Sequence, residues 1–238
     1  MKKVIQLPDA GKAVIVGDTH GDLQASRSII KQYGKRKYYV IFLGDYVDRG
    51  EKSRENIDFL LNAKKENSRI ILLAGNHEMN AVEPVSPSNF WEQLNQEDVL
   101  MYSEIFQDFP LAASGNGFVA THAGLPDLPD IEEWNKIEPG DENWIKLLWA
   151  DFRDKDGEYL GSLLGRIKLG RDYFTRVMNA IGKNVLIRSH DPYAPEKMFN
   201  NRCLTIFTSA SYGKGRKIAI VDLSREIDSV EKIELISL

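Results

Sequence analysis

Three times in the first third of the chain, an apolar run ends in a glycine that is followed by a side chain with a ligand oxygen. The pairs are Gly17-Asp18, Gly44-Asp45 and Gly75-Asn76, and their polar residues stand 27 and 31 residues apart. One such pair is an ordinary turn, because glycine and aspartate both favour turns. Three pairs in register predict one shared site, in which side-chain oxygens bind metal ions that activate water.

The chain has four histidines, and each lies beside small or polar residues at the end of an apolar run. They are His20, His77, His122 and His190. One histidine in such a position is more often structural than a ligand, but four of them, with two aspartates and an asparagine, indicate a metal site. Imidazole and carboxylate ligands without thiolate favour Mn, Fe or Zn over Ca or Mg. A carboxylate that bridges two ions would make a two-metal hydrolytic centre.

The stretch around Asp45 shows how such a site is positioned. Residues 39–43 are apolar and mostly β-branched or aromatic, which predicts a buried strand, and Gly44 permits a sharp turn. Asp45, Asp48 and Arg49 then follow, which is more charge than a surface turn needs. Open α/β sheets bind ligands at this end of their strands, so Asp45 is predicted to be a metal ligand.

The spacing of the three pairs is close to the ~30 residues of a βαβ unit and predicts three parallel strands in an α/β fold. We expect helices over about residues 23–33, 53–67 and 89–108, a hairpin over 111–120 and a loop over 151–165. Trp91 is expected to serve packing. Three late apolar segments, 204–207, 218–221 and 233–236, are predicted to be antiparallel strands of a second sheet.

Composition limits the classes of function. Apolar residues make up 42% of the 238, enough for a sizeable core, and we expect one domain over residues 1–238. The net charge of −4 gives no bulk attraction to nucleic acid or to an acidic membrane. No run approaches the ~18 apolar residues of a membrane span. Cys203 is the only cysteine, so no disulfide forms within the chain and a cytoplasmic location is expected.

Six segments form a recognisable series. In chain order they are Gly17–Gly21, Gly44–Gly50, Gly75–Glu78, His122–Leu125, Leu147–Asp151 and Arg188–His190. The series resembles the motifs of the phosphoprotein phosphatases, the eukaryotic-type Ser/Thr phosphatase branch of the metallophosphoesterases. The resemblance covers about residues 13–212. It implies the metallophosphoesterase fold, a central β-sandwich of two mixed sheets flanked by helices, and a small microbial enzyme that dephosphorylates proteins.

The resemblance also implies two divalent metal ions, with Mn²⁺ expected in vitro and Fe or Zn as alternatives. Asp18, His20 and Asp45 would hold one ion. The other would be held by Asp45, Asn76, His122 and His190, so that Asp45 bridges the pair.

The same resemblance implies how the substrate is handled. His77 would be the general acid, oriented by Asp48. Arg49 and Arg166 would bind the phosphate, because a guanidinium matches a phosphate with two parallel hydrogen bonds. Asn76 and Tyr212 would also contact the phosphate.

This sequence departs from the family pattern in several places. Ala74 stands where the family has Arg or Lys, and Ser209–Tyr212 replaces the usual Ser-Ala-Pro-Asn-Tyr. The segment around Arg166 is shorter than usual, so Arg171 and Arg188 remain alternatives to Arg166 as the second phosphate arginine. No motif indicates a particular regulatory subunit.

Three rival functions share parts of this pattern. Diadenosine tetraphosphate hydrolases share the early motifs, but Glu78 and the segment Leu147–Asp151 favour a phosphoprotein substrate. A metal-dependent nuclease would carry Gly-His-x-His late in the chain, where Arg188–Asp191 offers one histidine. A non-catalytic binding module on the same fold would have lost a ligand or His77, and none is missing.

Overall fold

The computed structural model describes residues 2–35, 37–163, 165–213 and 215–238. Its strands are β1 (Val4–Gln6), β2 (Lys12–Val16), β3 (Tyr38–Phe42), β4 (Ile70–Leu72), β5 (Ala112–Gly115), β6 (Phe118–Thr121), β7 (Asp151–Phe152), β8 (Tyr159–Leu163), β9 (Arg166–Leu169), β10 (Val185–Arg188), β11 (Lys197–Met198), β12 (Cys203–Thr205), β13 (Lys217–Asp222) and β14 (Glu234–Ser237). Its α-helices are α1 (Leu23–Tyr33), α2 (Ser53–Glu66), α3 (Gln96–Gln107), α4 (Glu142–Trp149) and α5 (Arg171–Ala180).

The first sheet has the strand order β14-β13-β2-β3-β4. Strands β2, β3 and β4 run parallel and in register, with Val16 opposite Phe42 and Phe42 opposite Leu72. Helix α1 connects β2 to β3, and it begins where Asp22 caps it by accepting the N–H of Ala25 at 3.1 Å. The three parallel strands therefore end at one edge of the sheet, as the spacing of the Gly–polar pairs predicts.

The second sheet has the order β1-β5-β6-β10-β12-β11 and is also mixed. Strands β5 and β6 form the predicted hairpin, whereas β6, β10 and β12 run parallel. Two of its parallel strands, β6 and β10, end just before His122 and His190.

The two large sheets pack face to face. Alternate side chains of each strand point to opposite sides of its sheet, so one set faces the other sheet and the next set faces the helices. Ile15 of β2 lies in one buried cluster with Ile187 of β10. Its neighbours Val14 and Val16 lie in a second cluster with Ile29 of α1. The predicted α/β sandwich of two mixed sheets flanked by helices is confirmed.

The prediction for the late apolar segments is wrong in its assignment of strands to sheets. Strand β12 lies parallel to β10 in the second sheet, whereas β13 and β14 extend the first sheet beyond β2 in antiparallel order. A short apolar run predicts a buried strand, but its direction and its sheet depend on which edge is open to receive it.

The predicted loop over residues 151–165 instead contains β7 and β8, which pair with β9 in a small third sheet. Leu164, within that range, lies outside the described residues. The predicted helix over residues 89–108 is divided into a 3-10 helix at Trp91–Gln93 and helix α3. The division occurs because Asn95 caps α3, its side chain accepting the N–H of Asp98 at 2.8 Å.

Across the described ranges, no helix has both the length and the apolar character needed to span a bilayer.

Candidate active site

Two glycines let the loops after β3 and β4 touch. Gly44 has a φ of +107°, and a Cβ atom built on it would lie 2.5 Å from the backbone of Gly75. A Cβ on Gly75 would lie 2.3 Å from the nitrogen of Asp45. Only glycine fits at either position, and the contact brings Asp45 and Asn76 together at the edge of the sheet.

The second sheet delivers the late histidines to the same edge. An isolated parallel bridge between Asp18 and Phe207 joins the ends of the two sheets there. The N–H of Asp18 donates to Oγ of Ser189, at 3.0 Å, in the loop that carries His190. His122 Nδ1 lies 3.7 Å from a carboxylate oxygen of Asp18. Residues that are remote in the chain thus meet in one buried volume.

The backbone of this region is strained at several positions. Five of the proposed site residues have a positive φ, which non-glycine residues rarely adopt. They are His20 (40°), Asp45 (54°), Asp48 (65°), Arg49 (66°) and His190 (69°). Such strain persists only where the surrounding structure enforces it, and it clusters at functional sites.

Two histidines have their protons placed by backbone carbonyls. Nδ1 of His20 donates to the carbonyl of Val47 at 2.8 Å, and Nδ1 of His122 donates to that of Leu43 at 2.9 Å. In each ring Nε2 therefore carries the lone pair. A carbonyl that fixes the tautomer in this way is the usual second partner of a metal-binding histidine.

Asp45 belongs to two clusters of ligand atoms. One contains His20, Asp45 and His77, and the other contains Asp45, His122 and His190, with the atoms of each cluster within 4.8 Å of one another. Asp18 lies at the first cluster, with its carboxylate oxygen 3.9 Å from Nε2 of His20.

The donor set fits divalent cations. Nε2 of His122 lies 3.0 Å from Oδ1 of Asn76, 3.0 Å from Nδ1 of His190 and 3.5 Å from Oδ1 of Asp45. This crowds a lone pair against two acceptor oxygens, which a bound cation would relieve. Within the described residues, Oδ2 of Asp18 and Nε2 of His190 are buried without a hydrogen-bond partner. The site therefore offers unmet acceptor capacity, which suits a metal ion.

Burial shifts the pKa of these groups toward their neutral forms. Burial, with the nearby Asp45 carboxylate, raises the pKa of Asp18 to about 6. Burial lowers the pKa of His122 to about 4, and it lowers the pKa of His20 and His190 well below the usual range. Neutral imidazoles are the form that binds metal, so the rings are held ready as ligands.

His77 is set apart from the other histidines by its partner. Its Nδ1 lies 2.7 Å from Oδ2 of Asp48, and both side chains are buried. Burial lowers the pKa of His77, but the carboxylates of Asp45 and Asp48 raise it by more, and the net shift is upward. His77 is therefore the imidazole of this site that most readily carries a proton.

A cavity of about 670 Å³ opens beside the metal ligands. Its lining includes Asp45, Asn76, His77 and His190, the arginines Arg49 and Arg166, and Trp149 and Tyr212. Two guanidinium groups in one cavity suit a dianion such as a phosphate monoester. Nη2 of Arg166 bonds to Oδ1 of Asp151 at 2.6 Å, which holds its guanidinium at this wall.

The structure separates the three arginine candidates. Arg171 pairs with Asp154 and Asp156 at the surface, and Arg188 is fully buried, with Nη1 donating to the carbonyl of Ala123 at 3.2 Å. Neither lines the cavity. Of the three candidates, only Arg166 lines the cavity.

Tyr212 also lies at the site. Its hydroxyl donates to Nε2 of His20 at 2.6 Å, and its ring lies 5.2 Å from the guanidinium carbon of Arg49. A cation bound to His20 would replace this hydrogen bond and leave the hydroxyl for the cavity.

Comparison with known proteins decides the family. The calcineurin-like phosphoesterase family matches residues 11–194. The chain belongs to this family.

Several named relatives are phosphatases. The chain is 28% identical to a probable serine/threonine-protein phosphatase of Encephalitozoon cuniculi, over 98% of this chain and 55% of the relative. It is 30% identical to human serine/threonine-protein phosphatase 5, over 87% of this chain and 44% of the relative. The chain thus spans about half the length of these two relatives. A solved protein serine/threonine phosphatase from Saccharomyces cerevisiae shares the fold, with a TM-score of 0.80, 22% identity and coverage of 99% of this chain and 83% of that one.

Sequence reasoning missed a residue that joins the backbones of the two loops carrying Asp45 and Asn76. The carboxylate of Glu78 accepts the N–H groups of Asp45 and Tyr46, each at 2.8 Å, and that of Gly75 at 3.1 Å. Burial, with the charge of Asp45, raises the pKa of Glu78 well above its usual value. A carboxylate next to His77 in a buried motif was the available signal, but two of its partners, Asp45 and Tyr46, lie more than thirty residues away and only folding identifies them.

Proposed function

We propose that this phosphoesterase is a metal-dependent protein phosphatase that hydrolyses phosphoserine and phosphothreonine esters, with residues 1–238 forming one catalytic domain. One observation carries the proposal: Asp45 is shared by two clusters of ligand atoms at the wall of a cavity with two arginines, and His77 of the first cluster is paired with the buried Asp48. Such an arrangement combines a bridging carboxylate, a proton donor and phosphate-binding groups.

The proposed ligands would hold two divalent ions. Asp18, His20 and Asp45 would hold one ion, and Asp45, Asn76, His122 and His190 would hold the other. When bound, the ions lower the pKa of a shared water and neutralise phosphate charge. Mn²⁺ is expected to support activity in vitro, with Fe or Zn as alternatives, because the donors are imidazole and oxygen without thiolate.

The chain's own residues then manage the proton and the phosphate. Nδ1 of His77 is held by Asp48 at 2.7 Å, which leaves Nε2 to carry the proton for the departing alkoxide. Arg49 and Arg166 hold the phosphate oxygens, with Asn76 and Tyr212 as further contacts. An alkoxide is a poor leaving group, so a donated proton matters most for serine and threonine esters.

The substrate class is supported by the names of the relatives, which are serine/threonine-protein phosphatases. The cavity is open to the surface and suits a phosphorylated side chain on a larger molecule. A cytoplasmic location is supported by the lone cysteine, Cys203, which is buried and free.

Initial rates on three substrates test the proposal. With Mn²⁺ present, we expect faster hydrolysis of a phosphoserine peptide than of a phosphotyrosine peptide or diadenosine tetraphosphate. A chelator should abolish the activity and added Mn²⁺ should restore it. Preference for diadenosine tetraphosphate would replace the proposed substrate with a nucleotide, and activity in the demetallated protein would overturn the mechanism.

A further inference from the structure

Three consecutive residues ahead of helix α3 each make one hydrogen bond to a different residue of the proposed machinery. They are Asn89, Phe90 and Trp91, and their partners are Arg49, Asp48 and His77, in that order. We call residues 89–91 the bridging segment. It lies about forty residues beyond the Asp48–Arg49 turn in the chain, so its contacts with that turn are tertiary.

Trp91 contacts the backbone of the proposed general acid. Its indole Nε1 donates to the carbonyl of His77 at 2.9 Å, and its side chain is buried. The ring packs edge-on against Phe90 and Phe106, with centroids 5.4 and 5.7 Å away. This packing fixes the position of the indole ring. Its N–H therefore restrains the carbonyl of His77, to which it is hydrogen-bonded.

Phe90 supplies the matching contact to the other half of the acid pair. Its backbone N–H donates to Oδ1 of Asp48 at 2.8 Å, while Oδ2 of the same carboxylate lies 2.7 Å from Nδ1 of His77. Both oxygens of Asp48 are therefore engaged, Oδ1 by the N–H of Phe90 and Oδ2 by the ring of His77. Adjacent residues of the bridging segment thus fix the separation of Asp48 from His77.

Asn89 holds the turn that carries the phosphate arginine. Asp48 and Arg49 both have left-handed backbone, with φ of 65° and 66°. Two such residues in succession need an external restraint. Oδ1 of Asn89 accepts the N–H of Arg49 at 2.8 Å and provides it.

We propose that Trp91 and Asn89 are positioning residues for the reaction, Trp91 for proton donation by His77 and Asn89 for phosphate binding by Arg49. The inference rests on the proposed function and assigns each residue a different kinetic signature. Trp91 is thereby more than the packing residue predicted from the sequence.

The test for Trp91 compares W91F with W134F. Trp134 is a matched control, because it is a second buried tryptophan, but its indole N–H has no hydrogen-bond partner among the described residues. We expect W91F to lose about 10- to 100-fold in kcat on a phosphoserine peptide, the loss that a small misplacement of a catalytic group brings. Its loss on p-nitrophenyl phosphate, whose leaving group needs no proton, should be several-fold smaller. W134F should affect both substrates equally.

Two further variants distinguish a failure of this inference from a failure of the proposed function. They are H77N alone and the double variant W91F/H77N. If Trp91 acts through His77, W91F should add little to H77N on the phosphoserine peptide. Equal losses in W91F on both substrates, beside an H77N variant with unequal losses, would overturn the inference alone. Equal losses in H77N as well would overturn the acid role and the inference together. If W91F does not fold, β-(3-benzothienyl)alanine at position 91 keeps the ring shape, removes the N–H and faces the same criteria.

The test for Asn89 compares N89A with N95A. Asn95 caps helix α3 a few residues away, and its loss destabilises the same region without touching Arg49. We expect N89A to raise KM and the inhibition constant of inorganic phosphate together by about three- to tenfold, the effect of one lost hydrogen bond. N95A should leave both constants unchanged. Equal behaviour of the two variants would refute a positioning role for Asn89.

Discussion

Nδ1 of His77 lies 2.7 Å from Oδ2 of Asp48, and both side chains are buried. Asp45 Oδ1 accepts the backbone N–H of the same His77 at 3.0 Å. The proposed general acid is therefore held through its backbone by the proposed bridging ligand and through its ring by Asp48. The residues proposed for proton donation and for metal binding are thus in direct contact at His77. Substitutions can nevertheless test the two roles separately.

His77→Asn is expected to retain metal and to lose activity unequally between substrates. General acid catalysis contributes roughly 10²–10⁴-fold where the leaving group needs a proton, so the loss should approach that range on a phosphoserine peptide. On p-nitrophenyl phosphate it should be far smaller. Asp48→Asn should show the same asymmetry in milder form. Steady-state kcat values and metal content check the prediction, and equal losses on both substrates, or loss of metal, would argue against the acid role.

Asp45→Asn is expected to weaken both metal positions, because Asp45 belongs to both ligand clusters. His20→Ala should weaken only one. After reconstitution with Mn²⁺, mass spectrometry should find close to two ions per chain in the unmodified protein, about one in H20A and fewer in D45N. D154N is the control, since Asp154 pairs with Arg171 at the surface. Two ions retained in D45N would remove Asp45 from the bridging position.

Arg166→Ala is expected to raise KM and the inhibition constant of inorganic phosphate by about 10- to 100-fold, since a hydrogen bond to a charged group contributes roughly 1.5–3 kcal/mol. Arg171→Ala should leave both unchanged, because its guanidinium pairs with Asp154 and Asp156 away from the cavity. Competitive inhibition by phosphate measures the difference. An R171A variant with the larger effect would exchange the two assignments.

Gly44→Ala is expected to destabilise the fold by about 2–5 kcal/mol, the sum of a strained backbone and a steric clash. The residue has a φ of +107°, and the new Cβ would lie 2.5 Å from the backbone of Gly75. Gly215→Ala is the control, because no atom of the described residues lies within 4 Å of its Cβ position. Urea unfolding gives both free energies. A G44A protein as stable as G215A would show that the loops separate easily.

Cys203 is expected to resist thiol reagents in the folded protein. Burial raises its pKa to about 12 from 9.0, so the thiolate does not form at pH 8. Since the folded pKa lies above the unfolded one, the cysteine's contribution to stability is present below pH 9 and is lost as the pH rises toward 12. Labelling with a disulfide reagent should be absent in buffer and complete in urea. Rapid labelling of the folded protein at pH 8 would contradict this burial.

Short-range sequence patterns were sufficient to predict the fold class and the family. The Gly–polar pairs lie at the ends of short apolar strands, and strand, turn and next side chain are encoded within a few residues. The spacing then allowed parallel strands to be predicted. Asp22 and Asn95 both cap helices through nearby N–H groups, yet the sequence predicts only the helix start that follows Asp22, at residue 23. A continuous amphipathic pattern concealed the cap at Asn95.

The sequence by itself therefore determined the βα units, the α/β class, the family resemblance and the set of residues with metal-binding chemistry. The tertiary structure alone decided that β12 joins the second sheet, that Arg166 rather than Arg171 lines the cavity, and that Glu78 and Trp91 hold the backbone of the site. The physical reason is range. A turn or a cap involves atoms a few residues apart, whereas a sheet edge, an ion pair or a buried hydrogen bond joins segments that are adjacent only after the chain has folded.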